Sequence, residues 1–278
     1  MAEPVTHRSV SQFSTFTRCG ESYRLERVAR APAKPAAWFA QGIAYHTASE
    51  AWERSFRELS DRETTDRYDR EYDRLIAQGM QQEPDPNRWL TGGRVKGSDD
   101  IPRRKERGRE QLKAYFRYAR AAPEKTVRVT DEDAAVEVPF RLDLDGIEIV
   151  GFIDTIVEWP GGIIGPRDWK TGSKRPDWPL QLGVYALAVE DVLGVRPMWG
   201  DFYMAKDGKP DRPVNLQRFT RGRLTRWFHN LDQSIRAGLF LPNPGDACRT
   251  CGVSEFCTAV GSRPDVYPPT PITLEAPA

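Results

Sequence analysis

Long hydrophobic runs are missing from this sequence of 278 residues. No window reaches the roughly 18 apolar residues that a membrane-spanning helix needs, which excludes an integral membrane protein of the helical kind. The opening residues, MAEPVTHRSV, lack the apolar segment of a secretory signal peptide. We therefore expect a cytoplasmic protein with no membrane partner.

An excess of charge of one sign is also absent, since 41 basic residues nearly balance 40 acidic ones and give a net charge of +1. Any nucleic-acid surface must therefore be local. Only four cysteines are present, and in a cytosolic chain they indicate metal or redox chemistry before disulfides. Hydrophobic residues make up 39% of the chain, enough for the core of one large domain or two small ones.

The segment 151–185 carries the most informative pattern, because two strand-like runs flank a turn at 160–162. If these three residues form the loop, Asp154 lies directly opposite Asp168, with Cβ atoms about 5 Å apart. Lys170 shares the face of Asp168, since side chains alternate along a strand. The spacing thus predicts two carboxylates and an ammonium group on one side of a sheet.

Two close, unpaired carboxylates repel each other, and their burial is costly. A divalent cation such as Mg²⁺ or Mn²⁺ resolves the conflict, because such ions prefer oxygen ligands. Lys170 could orient the attacking water or stabilise negative charge on a phosphate. The alternative is a solvated hairpin with a surface salt bridge. Pro166 lies inside the second strand, and a bulge there would shift the register by one residue.

Three further polar groups fall near this segment in the predicted elements. A helix beginning near Gln41 places His46 and Glu50 on one face, although a lone histidine on a helix is more often structural. Glu137, on a preceding strand, is either another carboxylate of the site or an exposed strand residue, and we favour the exposed residue.

A later helix, which Asp177 is expected to cap, projects Gln181 and Tyr185 together because they are four residues apart. These two side chains could equally serve only to pack the helix.

Charge patterns dominate the first half of the chain. Mixed charges at helical spacing predict a solvated helix over 54–82. A basic cluster follows that suits either a phosphate backbone or a solvated helix start. It consists of Arg94, Lys96, Arg103, Arg104, Lys105, Arg107 and Arg109, and Lys174 and Arg175 add two more cations near the hairpin.

Three cysteines, Cys248, Cys251 and Cys257, share a short Pro/Gly-rich loop, and Cys19 is remote in sequence. Four such thiols can form a closed tetrahedral zinc site or hold a [4Fe–4S] cluster, which would join the two ends of the chain. The alternative is free thiols in a loop. The Pro-rich residues 261–278 are expected to form a loose extension.

Taken in order, the motifs resemble the RecB-type branch of the PD-(D/E)XK nuclease superfamily. They are similar to its iron–sulfur members, namely CRISPR-associated and phage exonucleases and AddB-type nuclease domains. Each motif alone is weak, whereas their order and spacing are specific. They are a Ser-rich helix leading to a cysteine and an aromatic residue over 9–23, Gly-x-x-x-His at 42–46, Gly-x-x-Asp at 151–154, Asp-x-Lys-Thr-Gly at 168–172, Gln-x-x-x-Tyr at 181–185, and the three-cysteine tail.

The resemblance implies an α/β fold with a restriction-endonuclease-like core, in which helices flank a mixed β-sheet. It implies a single nuclease domain over 1–260 with a helical insertion at 54–125. A C-terminal Cys-rich Fe–S loop at 245–260 would act together with Cys19, and the extension at 261–278 would follow.

The resemblance also implies a role for each site residue. The metal would be bound by His46, Asp154, Asp168 and the main-chain carbonyl of Trp169. Lys170 matches the catalytic lysine, and Gln181 and Tyr185 match the motif that places DNA and that lysine. The [4Fe–4S] ligands would be Cys19, Cys248, Cys251 and Cys257.

The implied activity is Mg²⁺- or Mn²⁺-dependent hydrolysis of phosphodiester bonds by a DNA exonuclease that prefers single-stranded DNA or DNA ends. Its setting would be DNA repair or recombination, phage DNA metabolism or CRISPR adaptation, with proteins of those processes as partners. A phage-encoded enzyme would act in the host cytosol. Two alternatives stay open: a catalytically silent DNA- or protein-binding module on this scaffold, and a zinc-stapled nuclease without iron.

Overall fold

The computed structural model describes residues 7–130 and 133–269. The helices are α1 (Val10–Arg18), α2 (Gly20–Tyr23), α3 (Ala37–Arg54), α4 (Asp61–Gln82), α5 (Gly97–Ala121), α6 (Leu180–Leu193) and α7 (Arg221–Arg236). The strands are β1 (His7–Arg8), β2 (Lys125–Thr126), β3 (Arg128–Thr130), β4 (Asp133–Ala134), β5 (Val136–Leu144), β6 (Ile147–Trp159), β7 (Ile163–Lys170), β8 (Trp199–Met204), β9 (Lys209–Pro210) and β10 (Val214–Asn215). Within these ranges, none of the helices combines the length and hydropathy that a membrane crossing requires.

The described chain divides into two compact units. The first contains 7–34, 143–149 and 221–269, and the second contains 35–142 and 150–220. The expectation of one nuclease domain over 1–260 stays a prediction, and each unit is described by itself.

The second unit is built on a mixed sheet with the strand order β6-β7-β8-β10. β6 and β7 are antiparallel, β7 and β8 are parallel, and β8 and β10 are antiparallel. Helices α3, α5 and α6 carry the buried residues that accompany this sheet. The observed fold is therefore the predicted α/β class with a mixed sheet flanked by helices.

The predicted hairpin register is confirmed through Pro166. Trp159 pairs with Ile163 and Thr155 with Arg167, and no residue is skipped between them. The backbone N–H of Ile156, the partner of Pro166, donates to Ala135 on the other side of β6. The proline therefore faces a non-hydrogen-bonded position of the β6–β7 pair, and its missing N–H removes no bond between these strands. The bulge that we considered at Pro166 does not occur.

Aromatic side chains fill the core formed by α3, α4 and α5. Trp52, Tyr68, Phe116 and Trp169 are almost completely buried there. The prediction of one solvated helix over 54–82 was wrong in two respects. α3 ends at Arg54, a new helix begins at Asp61, and its tyrosines at 68 and 72 pack inward because residues four apart share a helix face.

Helix α6 begins at Leu180, later than predicted. Its N-cap is Pro179, and no side chain caps it, so the expectation that Asp177 caps this helix was wrong. The helix is closely packed: a Cβ on Gly183 would lie 2.3 Å from the Phe219 ring. It ends at Gly194, whose φ of 68° is accessible to glycine.

The first unit contains both ends of the described chain. Ser9 caps α1 by accepting the backbone N–H of Gln12. Within residues 261–269, Arg24 donates to the Tyr267 carbonyl at 2.8 Å and the Tyr267 ring lies against Phe256, whereas most of the segment is exposed. The loose extension over 261–278 stays a prediction. Residues 270–278 of the predicted extension lie outside the described residues.

Candidate active site

The hairpin of β6 and β7 brings the predicted acidic and basic groups together. Lys170 Nζ lies 2.7 Å from Asp168 Oδ2. Asp154 Oδ2 accepts the backbone N–H of Trp169 at 2.8 Å. Both aspartates are buried, and among the described residues no hydrogen-bond donor reaches Asp168 Oδ1. A buried carboxylate oxygen without a donor is costly, which indicates a further ligand at this point.

Helix α6 holds the lysine through a chain of hydrogen bonds. Lys170 Nζ donates to Gln181 Oε1 at 2.9 Å, and Gln181 Nε2 donates to the Tyr185 hydroxyl at 2.7 Å. Tyr185 then donates to Asp154 Oδ1 at 3.3 Å. The lysine can only donate, which fixes the orientation of the glutamine amide and of the tyrosine hydroxyl. Gln181 and Tyr185 therefore position Lys170 and Asp154.

Helix α3 presents His46 from the other side. His46 Nε2 lies 3.0 Å from the Trp169 carbonyl oxygen, and Nδ1 lies 3.6 Å from Asp154 Oδ2 and 3.5 Å from Glu137 Oε1. α3 approaches closely, since a Cβ on Gly42 would lie 3.4 Å from Thr171 Oγ1. This is ordinary van der Waals contact, so a small side chain would fit at the glycine of the Gly-x-x-x-His motif.

Glu137 is the residue that sequence reasoning missed. We expected an exposed strand residue, whereas Glu137 forms with His46 and Asp154 a group whose ligand atoms all lie within 4.8 Å of one another. Its φ of 46° departs from an extended strand, and such backbone strain concentrates at functional sites. Counting alternate positions along β5 could not have revealed this side chain.

Burial and mutual repulsion shift the pKa values of the acidic groups upwards. Burial raises the pKa of Asp168 to about 7, with Lys170 opposing the shift and Asp154 adding to it. Burial likewise raises the pKa of Asp154, although His46 and Lys170 oppose it. For His46, burial alone would lower the pKa, but Asp154 and Glu137 outweigh burial and raise it to about 9.

These groups fit a divalent cation. The set offers three carboxylates, one imidazole nitrogen and one main-chain carbonyl, and hard cations bind such oxygen-rich sets. Burial is the main reason why the pKa values of Asp154 and Asp168 are raised, and a bound cation would favour their charged forms. A cation would have to replace the proton that the raised pKa keeps on His46, because histidine binds metal as a neutral imidazole.

The comparison with known proteins agrees with this geometry. The model of the PD-(D/E)XK nuclease superfamily matches residues 7–258. This chain belongs to the PD-(D/E)XK nuclease superfamily. The match confirms the superfamily that the motifs predict, whereas the RecB-type branch and the iron–sulfur group stay predictions. As a PD-(D/E)XK protein, the chain is a nuclease that uses a divalent metal and binds DNA.

Two phage proteins are similar to this PD-(D/E)XK chain along most of their length. The Gene 69 protein of Mycobacterium phage D29 is 38% identical over 261 residues, covering 90% of this chain and 96% of the phage protein. The Gene 69 protein of Mycobacterium phage L5 is 36% identical over 278 residues, covering 90% and 95%. The crystal structure of SSO0001 aligns at a TM-score of 0.44 and 13% identity, over 94% of this chain and 89% of that chain, which is too weak a likeness to carry an argument.

The predicted DNA-binding cations of the PD-(D/E)XK chain do not form one patch of free charge. Asp100 accepts from both Arg103 and Arg104, and Lys105 pairs with Asp73 at 2.6 Å. Arg175 pairs with Asp211 at 3.0 Å. The exposed members of the predicted set are Arg94, Lys96 and Lys174, together with the paired Arg103. DNA binding by this set stays a prediction.

The four cysteines surround one cavity within the first unit, lined also by Leu25 and Val260. Cys19 Sγ accepts the backbone N–H of Asn243, and Cys248 Sγ accepts that of Gly245, both at 3.4 Å. That these four cysteines bind a common metal or cluster stays a prediction.

Proposed function

We propose that this PD-(D/E)XK protein is a Mg²⁺- or Mn²⁺-dependent DNA exonuclease that acts on single-stranded DNA or DNA ends. The observation that carries the proposal is the buried Asp154–Asp168–Lys170 set, with His46 and Glu137 facing it across the same space. Similarity to phage proteins favours phage DNA metabolism within the host cytosol over CRISPR adaptation or chromosomal repair and recombination. Partners in this setting would be replication or recombination proteins.

The residues that would hold the metal are His46, Glu137, Asp154, Asp168 and the carbonyl of Trp169. A bound divalent cation supplies Lewis acidity and lowers the pKa of water. Lys170 brings a positive charge to the same place, and its ammonium group stabilises the negative charge that develops on the phosphate as the new P–O bond forms. Asp168 and Gln181 both contact Lys170 Nζ and hold the ammonium group in place before the reaction.

The decisive test is cleavage of end-labelled single-stranded and duplex DNA with Mg²⁺ or Mn²⁺. We expect wild-type activity to disappear with EDTA and to fall at least about a hundredfold in Lys170→Ala. Lys113→Ala, a lysine on α5 that has no role in the proposed site, is the matched control and should retain activity. Degradation from labelled ends supports an exonuclease, whereas internal cuts would contradict it. A folded wild type that binds DNA but never cleaves it would favour the silent binding module.

We further propose that Cys19, Cys248, Cys251 and Cys257 hold a structural [4Fe–4S] cluster. Backbone N–H groups directed at the sulfurs of Cys19 and Cys248 are compatible with such a cluster, whose properties depend on hydrogen bonds to sulfur. A protein purified without oxygen should be brown and contain about four irons per chain. A colourless protein with one zinc per chain would establish the zinc-stapled alternative.

A further inference from the structure

One face of α3 extends beyond His46 in both directions. Phe39, Ile43, His46 and Glu50 lie at spacings of four, three and four residues, which confines them to an arc of about 60° around the helix. The opposite face of α3 packs into the core, where Ala44, Ala48 and Trp52 are completely buried. The outward face therefore has no part in packing the core.

The portion of this face before His46 is apolar and exposed. Phe39 is 58% exposed and Ile43 is 49% exposed. Phe152, which is 57% exposed, lies two residues before Asp154 on β6 and therefore on the same face of that strand. Large apolar groups exposed at the rim of a polar site indicate contact with a ligand that has apolar surface.

The portion of this face after His46 borders a groove between α3 and α4 that is charged rather than apolar. It is lined by Thr47, Glu50, Ala51, Arg54, Arg67, Arg70, Glu71 and Arg74. The four arginines outnumber the two glutamates, and this groove, which we call the arginine groove, has a net charge of +2.

Two of these arginines are available to an anion. Glu50 pairs with Arg54 and Glu71 with Arg74. No ion pair among the described residues engages Arg67 or Arg70, and both are exposed. They are three residues apart, so both project from the same side of α4.

We propose that a single DNA strand lies along this face of α3. Its unpaired bases stack on Phe39, Ile43 and Phe152, and its phosphates lie in the arginine groove, so that His46 stands between the two contacts. The proposal rests on the function proposed above and adds the residues that select the strand. The bases of a duplex are stacked on one another, and their faces cannot reach the apolar residues. A duplex would gain only the phosphate contacts, whereas a single strand gains both.

The stacking half is tested by fluorescence anisotropy in EDTA, where no cleavage occurs. The probes are a labelled dT 12-mer, an abasic 12-mer with the same phosphates, and a hairpin duplex. Phe39→Ala should weaken binding of the dT 12-mer by roughly 5- to 100-fold, and Ile43→Ala should weaken it less, because an aliphatic side chain has no aromatic face for a base to stack on. They should change binding of the abasic strand less than twofold. Val192→Ala, an exposed valine near the end of α6, is the matched control.

The phosphate half is tested with Arg67→Ala and Arg70→Ala. Each should weaken the dT and the abasic strands alike, and each should reduce the slope of log affinity against log salt by about 0.7. Arg62→Ala is the control, since Arg62 is on α4 with its side chain 93% exposed, but projects about 140° away from Arg67. It should leave both affinity and slope unchanged.

Several results would overturn the proposal. Equal losses on dT and abasic strands in Phe39→Ala would remove the stacking role. Wild-type binding of the hairpin duplex as tight as that of the dT 12-mer would contradict strand selection. Tight, Phe39-dependent binding in EDTA without cleavage in Mn²⁺ would support the strand path and refute the nuclease proposal. A failure of the strand path can therefore be told apart from a failure of the proposed nuclease activity.

Discussion

Asp168 is a buried carboxyl group whose charged form is disfavoured, because burial raises its pKa from 3.8 to about 7. The folded, metal-free protein thus holds a proton that the unfolded chain releases near pH 4. Stability from this group is present below pH 4 and is lost as the pH rises through about 7. Asp168→Asn cannot ionise, so it should lose less stability than the wild type between pH 4 and 8, by on the order of 4 kcal/mol, because the shift is about three units at about 1.4 kcal/mol each.

Urea unfolding of both proteins in EDTA, at pH 4, 6 and 8, measures this difference. Parallel pH profiles would contradict the raised pKa of Asp168. Mn²⁺ should then stabilise the wild type at pH 8 more than Asp168→Asn, because binding to the folded state alone raises stability and the variant lacks one anionic ligand.

Tyr185 is a residue whose contribution is positional. Its hydroxyl links Gln181 to Asp154, so Tyr185→Phe leaves the Gln181 amide free to rotate away from Lys170. We expect kcat to fall roughly tenfold to a hundredfold with little change in KM. The substrate would still bind, but Lys170 would be held less firmly in the position that stabilises the transition state. Steady-state cleavage kinetics check the split, and an increase in KM alone would contradict it.

At this scale the sequence revealed most of the site, because Asp154, Asp168 and Lys170 follow strand alternation about a three-residue loop. Glu137 could not be found in this way. Its backbone φ of 46° breaks the alternation along β5, and its approach to His46 depends on how α3 packs. Pattern reasoning succeeds where the backbone is regular and fails where local strain redirects one side chain.

At the scale of elements, the start of β7 leaves no room for a side chain beside β8. A Cβ on Gly165 would lie 2.2 Å from the Trp199 carbonyl oxygen, so Gly165→Ala must separate the two strands. We expect a loss of about 2–4 kcal/mol in the free energy of unfolding and reduced cleavage, since Asp168 and Lys170 follow on the same strand. Chemical denaturation measures the first effect.

Gly222→Ala is the control for this substitution. Gly222 lies in α7 with open space around its Cβ position, and alanine there should be neutral or stabilise the protein by up to about 1 kcal/mol. Similar losses in both variants would show that the close approach of β7 and β8 is unimportant.

The helices were predicted less well than the hairpin. The charged run over 54–82 conceals the break after Arg54, because both sides of the break have helical composition. Ser60 and Glu63 form a capping box that marks the true start of α4. That signal was readable in the sequence. The start of α6 was not, since it has no capping side chain and depends on the packing of Gly183 against Phe219.

At the scale of the whole molecule, the cysteines connect distant parts of the chain, since Cys19 and Cys248 are 229 positions apart. Closing so long a loop restricts the unfolded chain, and a covalent cross-link of that span is worth about 5–6 kcal/mol in the entropic account. A cluster held by four thiolates should contribute comparably, because binding free energy that exists only in the folded state is folding free energy.

Cys251→Ser should therefore lose its iron, lower the Tm by several degrees and expose residues 245–260 to limited proteolysis. Ser254→Ala is the matched control, because Ser254 lines the same cavity without contributing a sulfur, and it should keep both iron and Tm. Iron content, thermal melting and trypsin digestion give three independent readouts. A Cys251→Ser protein with full iron and an unchanged Tm would show that the cysteines do not hold the two ends of the chain together.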